Sequence, residues 1–512
     1  MSTYILGMDV GTSSVKASLW DVEKERVVSQ FTDNYPISFD IYGRIRQDPE
    51  AIYQVVLQLL ENIIDDLEAK TENNRRKFIT VVLDTALHTL LLLDEQMNPM
   101  SDVIPWMDAR ADSVALEILK SEQNAEIHER TGCPVDSVYP LYKIIWFARN
   151  NADLLKQSGK ISSIKDYLLY KFTGLFVLDF STASGSGCLD IRKRCWAEDL
   201  LWDLARVDLS KFPTLISPYE VLEPSGEIKR FFEGRNVYVN FAVGVSDAAA
   251  SSIGTTCFNP NTLTISMGTS AAIRKISPEP LKKANVLDKG IWCYIVDEKS
   301  YIIGIAMRSG GCVMDWWVKN FLKSDDYNEI VRVLRDMTYY DSSPIRTTRP
   351  IFIPTIYGER VPRWIPNRNG ALLGLSGATS IDEATQSVIE GIGFNFRRIF
   401  EAVETYFGRG EAASYNVVAT GGMCQIQNWL QFLSNLFNRS MIIRESRFDT
   451  SLGLIMFYLK EKAPAIFELM SAKKDVISPK KSLSGLLENL YLKWLNEIES
   501  MEERLCKIHD IT

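Results

Sequence analysis

The chain has 512 residues, 46% of them hydrophobic and 24% charged, which is enough to bury large cores and more than one ordinary domain holds. A net charge of -8 and a pI near 5.3 exclude the basic field that attracts nucleic acid or an anionic membrane surface, so the expected partner is a small molecule. Eight cysteines without CxxC spacing or a histidine cluster argue against structural zinc and are expected to be buried thiols.

The first residues lead directly into an apolar strand pattern, with no basic leader, and no later segment has the apolar length of a membrane span. A cytoplasmic protein is expected. Tyr4 to Trp20 reads as strand, tight glycine turn and second strand, with Asp9 at the end of the first. The turn Gly11-Thr12-Ser13 offers a missing Cβ and hydroxyl donors to a phosphate, with Lys16 beside it, although the same residues also suit a plain hairpin.

Between Asp48 and Leu67 the apolar positions Ile52, Val55, Val56, Leu59, Leu60, Ile63, Ile64 and Leu67 recur at helical spacing. Phe78 to Leu83 returns to a β-branched run, and this alternation predicts an α/β domain. His88 follows that strand at the end where ligand-binding groups of open α/β sheets gather, and a buried, satisfied histidine is the competing reading. Trp106, Asp108 and Arg110 form either a surface salt link or a polar clamp for a polyol.

The run Val237 to Val243 precedes Gly244-Val245-Ser246-Asp247 and small residues suited to a helix. Asp247 is therefore expected at a helix N-terminus, as a cap or as a base that removes a proton from an acceptor. Near residue 255 the polar stretch Gly254 to Asn261 marks a boundary. Beyond it Thr262 to Ser266, Met267-Gly268-Thr269-Ser270 and Ala271 to Arg274 repeat the opening pattern of strand, turn and strand, which predicts two related halves around a cleft.

Strand-like Asn416 to Ala419 leads into Gly421-Gly422, where a flat base can lie on the backbone or a generic turn can form. From about Pro464 a Lys-, Glu- and Leu-rich segment predicts an appended helix.

Taken together and in order, these segments resemble the FGGY family of carbohydrate kinases. The Ile164-Lys165-Asp166-Tyr167 and Phe172-Thr173-Gly174 stretches, Asp179 to Ser184, Gly310-Gly311-Cys312-Val313 and Gly358 to Trp364 also carry the resemblance. It implies an α/β fold of two ribonuclease-H-like domains, of the actin and hexokinase ATPase type, around a central cleft. The expected divisions are 1–255 for sugar binding and the first phosphate turn, 256–463 for ATP, and 464–512 for a helical extension.

The resemblance further implies that Asp247 is the general base and that Asp9 contacts Mg²⁺. Gly11, Thr12, Ser13, Lys16, Gly268, Thr269 and Gly311 would attend the ATP phosphates, and Gly421 and Gly422 would flank the adenosine. His88, Trp106, Asp108 and Asp247 would face the sugar from the first domain. The segments around Lys165, Asp247 and Gly268 to Arg274 look most like the gluconate kinases, so gluconate is the expected acceptor, with xylulose or another pentulose or polyol as the alternative. A substrate carboxylate would need a donor, for which Arg110, Lys143, Lys165 and Arg308 are candidates. A homodimer is the expected assembly, and a non-catalytic sugar and nucleotide sensor is the reading from another class.

Overall fold

Two sheets of the same plan organise the chain, and the strand ends of each point at a shared cleft. The computed structural model describes residues 2–40, 44–71, 76–235, 237–281, 290–324, 328–336, 350–361, 368–444, 448–460, 464–471 and 475–509. Pro362-Arg363-Trp364, part of one motif above, lies outside the described residues.

In the first half, β1 (Ser2–Val10), β2 (Ser14–Asp21) and β3 (Arg26–Asn34) form an antiparallel meander. Then β4 (Lys77–Thr85) pairs parallel with β1, β6 (Val237–Ala242) pairs parallel with β4, and the short β5 (Val221–Leu222) closes the edge, giving the order β5-β6-β4-β1-β2-β3. The helix expected from the 3.6-residue period is α1 (Pro49–Lys70), with Asp48 accepting the Glu50 N–H as its N-cap and Pro49 in the first turn. Its buried stripe of Ile52, Val56, Leu59, Leu60, Ile63, Ile64 and Leu67 packs on one sheet face, together with α2 (Ile164–Thr173).

At the end of β6 the chain enters α3 (Asp247–Thr256), so residue 255 falls in the last turn of a helix. The second half repeats the plan with β7 (Thr262–Met267), β8 (Ala271–Ser277), β9 (Trp292–Ile295), β10 (Tyr301–Met307), β11 (Asn416–Thr420), β12 (Met441–Ile443) and β13 (Val476–Ile477). Their order is β9-β10-β8-β7-β11-β12-β13, with β7-β11 and β11-β12 parallel and the edge strand antiparallel. Strands β1, β2, β4 and β6 thus correspond to β7, β8, β11 and β12, and the expected repeat of architecture is present.

The C-terminal region departs from a simple appended helix. It supplies α7 (Pro464–Ser471), the edge strand β13 and α8 (Ser484–His509), once α4 (Ile381–Phe407) and α5 (Gln427–Phe437) have packed the second half and α6 (Asp449–Leu459) has packed on the first. Leu487, Tyr491, Trp494 and Ile498 are buried, and the Trp494 indole donates to the Phe352 carbonyl at 2.8 Å. Helical periodicity reported α8 but could not report a two-residue strand paired to β12. The expectation of buried thiols also needs correction: Cys133, Cys188, Cys293 and Cys424 are buried, whereas Cys195 is exposed and Cys257 and Cys312 are intermediate.

The halves are joined where α3 crosses α6. Their backbones touch closely, since a Cβ on Gly453 would sit 2.0 Å from the Ala250 carbonyl oxygen. Leu452, Leu454, Ile455, Met456 and Phe457 of α6 join the core of the first half. The cleft therefore closes on a joint built of small residues.

Candidate active site

The turn between β1 and β2 is held by side chains from outside it. The Tyr35 hydroxyl donates to the Gly11 carbonyl, the Gln47 amide donates to the Thr12 carbonyl at 2.6 Å, and the Trp106 indole N–H donates to the Thr12 hydroxyl at 3.2 Å. Three donors converging on one turn fix its backbone more tightly than a hairpin needs. The Trp106 bond also ties the predicted sugar segment to the predicted phosphate turn.

Asp9 stands beside that turn at the end of β1, and the parallel pairing of β1 with β4 sets Asp84 directly alongside it. Asp84 is fully buried and both its carboxyl oxygens lack a hydrogen-bond partner. Burial and the nearby Asp247 carboxylate push Asp9 up to about 6, opposed by Lys16, while burial, then Asp9 and Asp247, hold Asp84 well above its ordinary value. Asp84 was not singled out in the sequence. Only the register of two strands 75 residues apart makes it a neighbour of Asp9.

Asp247 occupies the first turn of α3, and the competing role of cap is taken by Ser246, whose hydroxyl accepts from the Ala249 N–H at 3.4 Å. The Asp247 carboxylate accepts from the Ala248 N–H at 2.6 Å and the Leu87 N–H at 3.4 Å. Burial raises its pKa, with Arg274, the two amides and Lys165 pulling the other way. Gly244 permits this placement: at φ +72° it passes so close to β4 that a Cβ would lie 2.3 Å from the Leu83 carbonyl oxygen.

A buried platform carries Asp247 from below. Lys165 Nζ, fully buried, pairs with Asp179 at 2.7 Å and donates to the Val245 carbonyl at 2.9 Å and the Thr182 hydroxyl at 3.1 Å. The Ser181 hydroxyl bonds both the Ser246 hydroxyl at 3.0 Å and the Ser246 N–H at 3.1 Å. These contacts give the Lys165 and Asp179 motifs a role that their sequence did not reveal.

Two cavities meet at the turn between β7 and β8. The larger, about 840 Å³, is walled by Lys16, Gly268, Thr269, Ser270, Arg274, Gly421 and Gly422 among others. A Cβ on Gly422 would meet nothing within 4 Å and one on Gly268 only the Ser270 carbonyl oxygen at 4.0 Å, so side chains at these places would fill the cavity. Gly421 has a different reason: at φ +102° it runs against β7, where a Cβ would lie 2.3 Å from the Met267 carbonyl oxygen. Gly311 donates its N–H to the Gly268 carbonyl at 2.8 Å and stands behind the turn as its support.

The smaller cavity, about 430 Å³, lies between Trp106, Asp108 and Asp112 of the first half and Thr269, Ser270, Arg308, Tyr357 and Arg360 of the second. Asp108 lines it while buried in a pair with Arg110 at 2.6 Å and accepting the Ile45 N–H at 2.7 Å. The Trp106-to-Arg110 stretch is thus a brace at the cavity wall, buried at Asp108 and partly exposed at its other residues. His88 stands behind this wall: its Nδ1 meets the Gly185 carbonyl at 2.6 Å, its ring packs edge-on to Tyr139 and Tyr294, and burial holds it neutral, down to about 3.

Of the four candidate donors for a carboxylate, three are engaged internally. Arg110 serves Asp108, Lys165 serves Asp179, and Lys143 donates to the His88 and Pro105 carbonyls, each at 2.8 Å, with burial pulling it down to about 7. Arg308 is the one that reaches the cavity, joined there by Arg360, and both approach the buried Asp136, at 3.6 and 3.0 Å. Asp136 was not singled out in the sequence, and Arg360 stood in the Gly358-to-Trp364 motif without a role of its own, since only the fold brings residues so far apart together.

Residues 4–254 match the model of the N-terminal domain of the FGGY family of carbohydrate kinases, and residues 263–459 match that of its C-terminal domain. The gluconokinase of Bacillus subtilis (strain 168) is 27% identical over 460 residues, 88% of this chain and 86% of that one. The xylulose kinase of Lactococcus lactis subsp. lactis (strain IL1403) is 28% identical over 452 residues, 86% of this chain and 84% of that one. A gluconate kinase structure from Lactobacillus acidophilus superposes with a TM-score of 0.84 at 23% identity, covering 98% of each chain, and a ligand-bound xylulose kinase from the same organism does so with 0.85 at 23%, again over 98% of each.

Proposed function

The chain belongs to the FGGY family of carbohydrate kinases, and from that premise we propose that it moves the γ-phosphoryl group of ATP onto a hydroxyl of D-gluconate, giving 6-phosphogluconate, with Asp247 as general base. It is an ATP-dependent carbohydrate kinase; the acceptor and the residue roles are our reading. The observation that carries it is the wall of Thr269 and Ser270, which is common to both cavities. ATP phosphates in the larger cavity and a sugar in the smaller would meet across that turn, while Asp247, in the first turn of α3, is tied to the larger cavity by its attraction to Arg274 on that wall.

The reaction asks for a base whose pKa lies above that of an ordinary carboxylate, because a stronger base takes a hydroxyl proton more readily. Burial gives Asp247 that property, and the Lys165 platform holds it in place. The glycines at 268 and 422 leave space for phosphate and base, and Lys16 supplies charge.

Mg²⁺, which the family implies, fits the crowded carboxylates at Asp9 and Asp84, whose repulsion a dication relieves. Bound there it would neutralise phosphate charge. An ion there would be held by one or two carboxylates and the phosphates themselves.

Gluconate is preferred to a neutral sugar because Arg308 and Arg360 put two guanidinium groups on the smaller cavity, opposite Trp106 and Asp108. Xylulose is the second reading, favoured by the xylulose kinases among relatives of similar identity. ADP release measured with D-gluconate, D-xylulose and glycerol as acceptors tests the choice. The highest kcat/KM is expected for gluconate; a preference for xylulose would overturn the assignment, and sugar binding without any phosphorylated product would point to the sensor.

A further inference from the structure

Arg274 is a cation of the larger cavity that no carboxylate contacts among the described residues, although Asp247 attracts it. It projects from β8, next to the turn at Gly268–Ser270, and its Nη1 donates to the Ser266 hydroxyl at 3.1 Å. Its Nε is buried without a partner, and among the described residues it forms no ion pair. The other cations of this cavity are provided for differently, although Arg444 too has a buried Nε without a hydrogen-bond partner among the described residues. Lys16 lies in register with Asp9 across the β1-β2 pair, and Arg444 donates to the Gly254 carbonyl near the negative end of α3 at 3.0 Å.

A partly exposed guanidinium on a cavity wall, with no carboxylate in contact among the described residues, can receive an anion that arrives with a ligand. The cavity on which it stands has the glycine floor and hydroxyl rim of a phosphate site. Across the cleft the carboxylate that attracts it is Asp247. Arg274 therefore stands on the wall of the phosphate cavity and is electrostatically coupled to the base.

We propose that Arg274 is a catalytic residue that contacts the γ-phosphoryl group of ATP and neutralises the charge on it during transfer. In that step the acceptor oxygen forms a bond to the γ-phosphorus as the bond from that phosphorus to the β,γ-bridging oxygen breaks. ADP leaves with the electron pair, and the acceptor proton passes to Asp247. A planar, permanently charged fork suits the equatorial oxygens of a phosphoryl group in flight better than an ammonium does. The proposal rests on reading the larger cavity as the ATP site and is independent of which sugar is phosphorylated.

The test uses the full chain with Mg²⁺, comparing ADP with the β,γ-imido analogue of ATP by calorimetry, alongside steady-state kinetics. Arg274→Gln should leave ADP affinity within about threefold, weaken the analogue by about tenfold or more, and lower kcat by at least about a hundredfold, the usual loss for one transition-state donor. Arg274→Lys should recover part of kcat. Without nucleotide, Arg274→Gln should melt close to wild type, because the side chain is partly exposed and makes a single hydrogen bond to Ser266; a much lower melting point would mark a structural role and overturn the proposal.

Equal weakening of ADP and analogue, no weakening of either, or a rise in sugar KM with kcat intact would each overturn it too. Gly422→Val separates the two readings. If it leaves ADP binding intact, the cavity is not the nucleotide site and the proposal falls with it. If it abolishes ADP binding while Arg274→Gln still binds the analogue normally, the role of Arg274 alone falls.

Discussion

The two halves of the molecule share a strand plan and differ in charge at equivalent places. In the first, Asp9 of β1 is paired in register with Asp84 of β4; in the second, Ser266 of β7 is paired with Thr420 of β11. Where one turn is flanked by two carboxylates and Asp247, the other is flanked by hydroxyls and by Arg274, Arg308 and Arg360. On the proposed reading, a repeated fold would carry a proton- and metal-binding side and a phosphate- and anion-binding side. The reaction needs both, because an acceptor must lose a proton while a highly anionic group approaches it.

This contrast can be broken from either side. The largest effect is expected from below the carboxylate half: Lys165→Met leaves Asp179 buried and unpaired and removes the support of the Val245 carbonyl. Stability should fall by about 3 kcal/mol and kcat by roughly a hundredfold through misplacement of Asp247, measured by denaturant unfolding and steady-state kinetics. A stable variant with normal kcat would mean the platform does not position the base.

On the cationic half, Arg308→Gln should raise the KM for gluconate about tenfold or more, worth about 1.4 kcal/mol, and leave the KM for ATP unchanged. A neutral acceptor should be affected far less. Equal effects on gluconate and xylulose would show that Arg308 does not read a carboxylate.

The opposed charges also set the pH response. Asp247, raised by burial, must be ionised to act, so kcat/KM with saturating Mg²⁺ should decline as pH falls through a value above the ordinary carboxylate range. His88, held down to about 3, adds nothing to that limb. Activity that stays flat to about pH 5 would contradict the carboxylate assignment.

The smallest effect concerns stability away from the site. Burial lowers His128 to about 4, where its Nε2 meets the Ile291 carbonyl at 2.7 Å. A depressed folded-state pKa makes the unfolded chain bind the proton more tightly, so stability present above about 6.5 is lost as pH falls toward 4. Melting temperatures of His128→Gln should show a shallower acid decline than wild type.

Much of this division was legible in the sequence because it rests on short segments. The two strand-turn-strand patterns, Asp247 after its apolar run and the Gly421-Gly422 turn need only local chain geometry. Ser246 as the cap, Lys165 under Asp247, Asp84 beside Asp9 and the meeting of Arg308 with Arg360 at Asp136 depend on register and on contacts between distant segments. No periodicity reports such contacts, and the short edge strand at Val476–Ile477 was missed for the same reason.

The central claim is that a carboxylate on one half deprotonates an acceptor whose phosphoryl group is held by the other. Asp247→Asn tests it most directly when ADP and gluconate binding by calorimetry are compared with a single-turnover measurement of phosphoryl transfer. The account predicts binding of both ligands within about threefold of wild type and a transfer step slower by at least about a hundredfold. A transfer step of unchanged speed, or normal transfer once lost sugar binding is overcome by saturation, would contradict it.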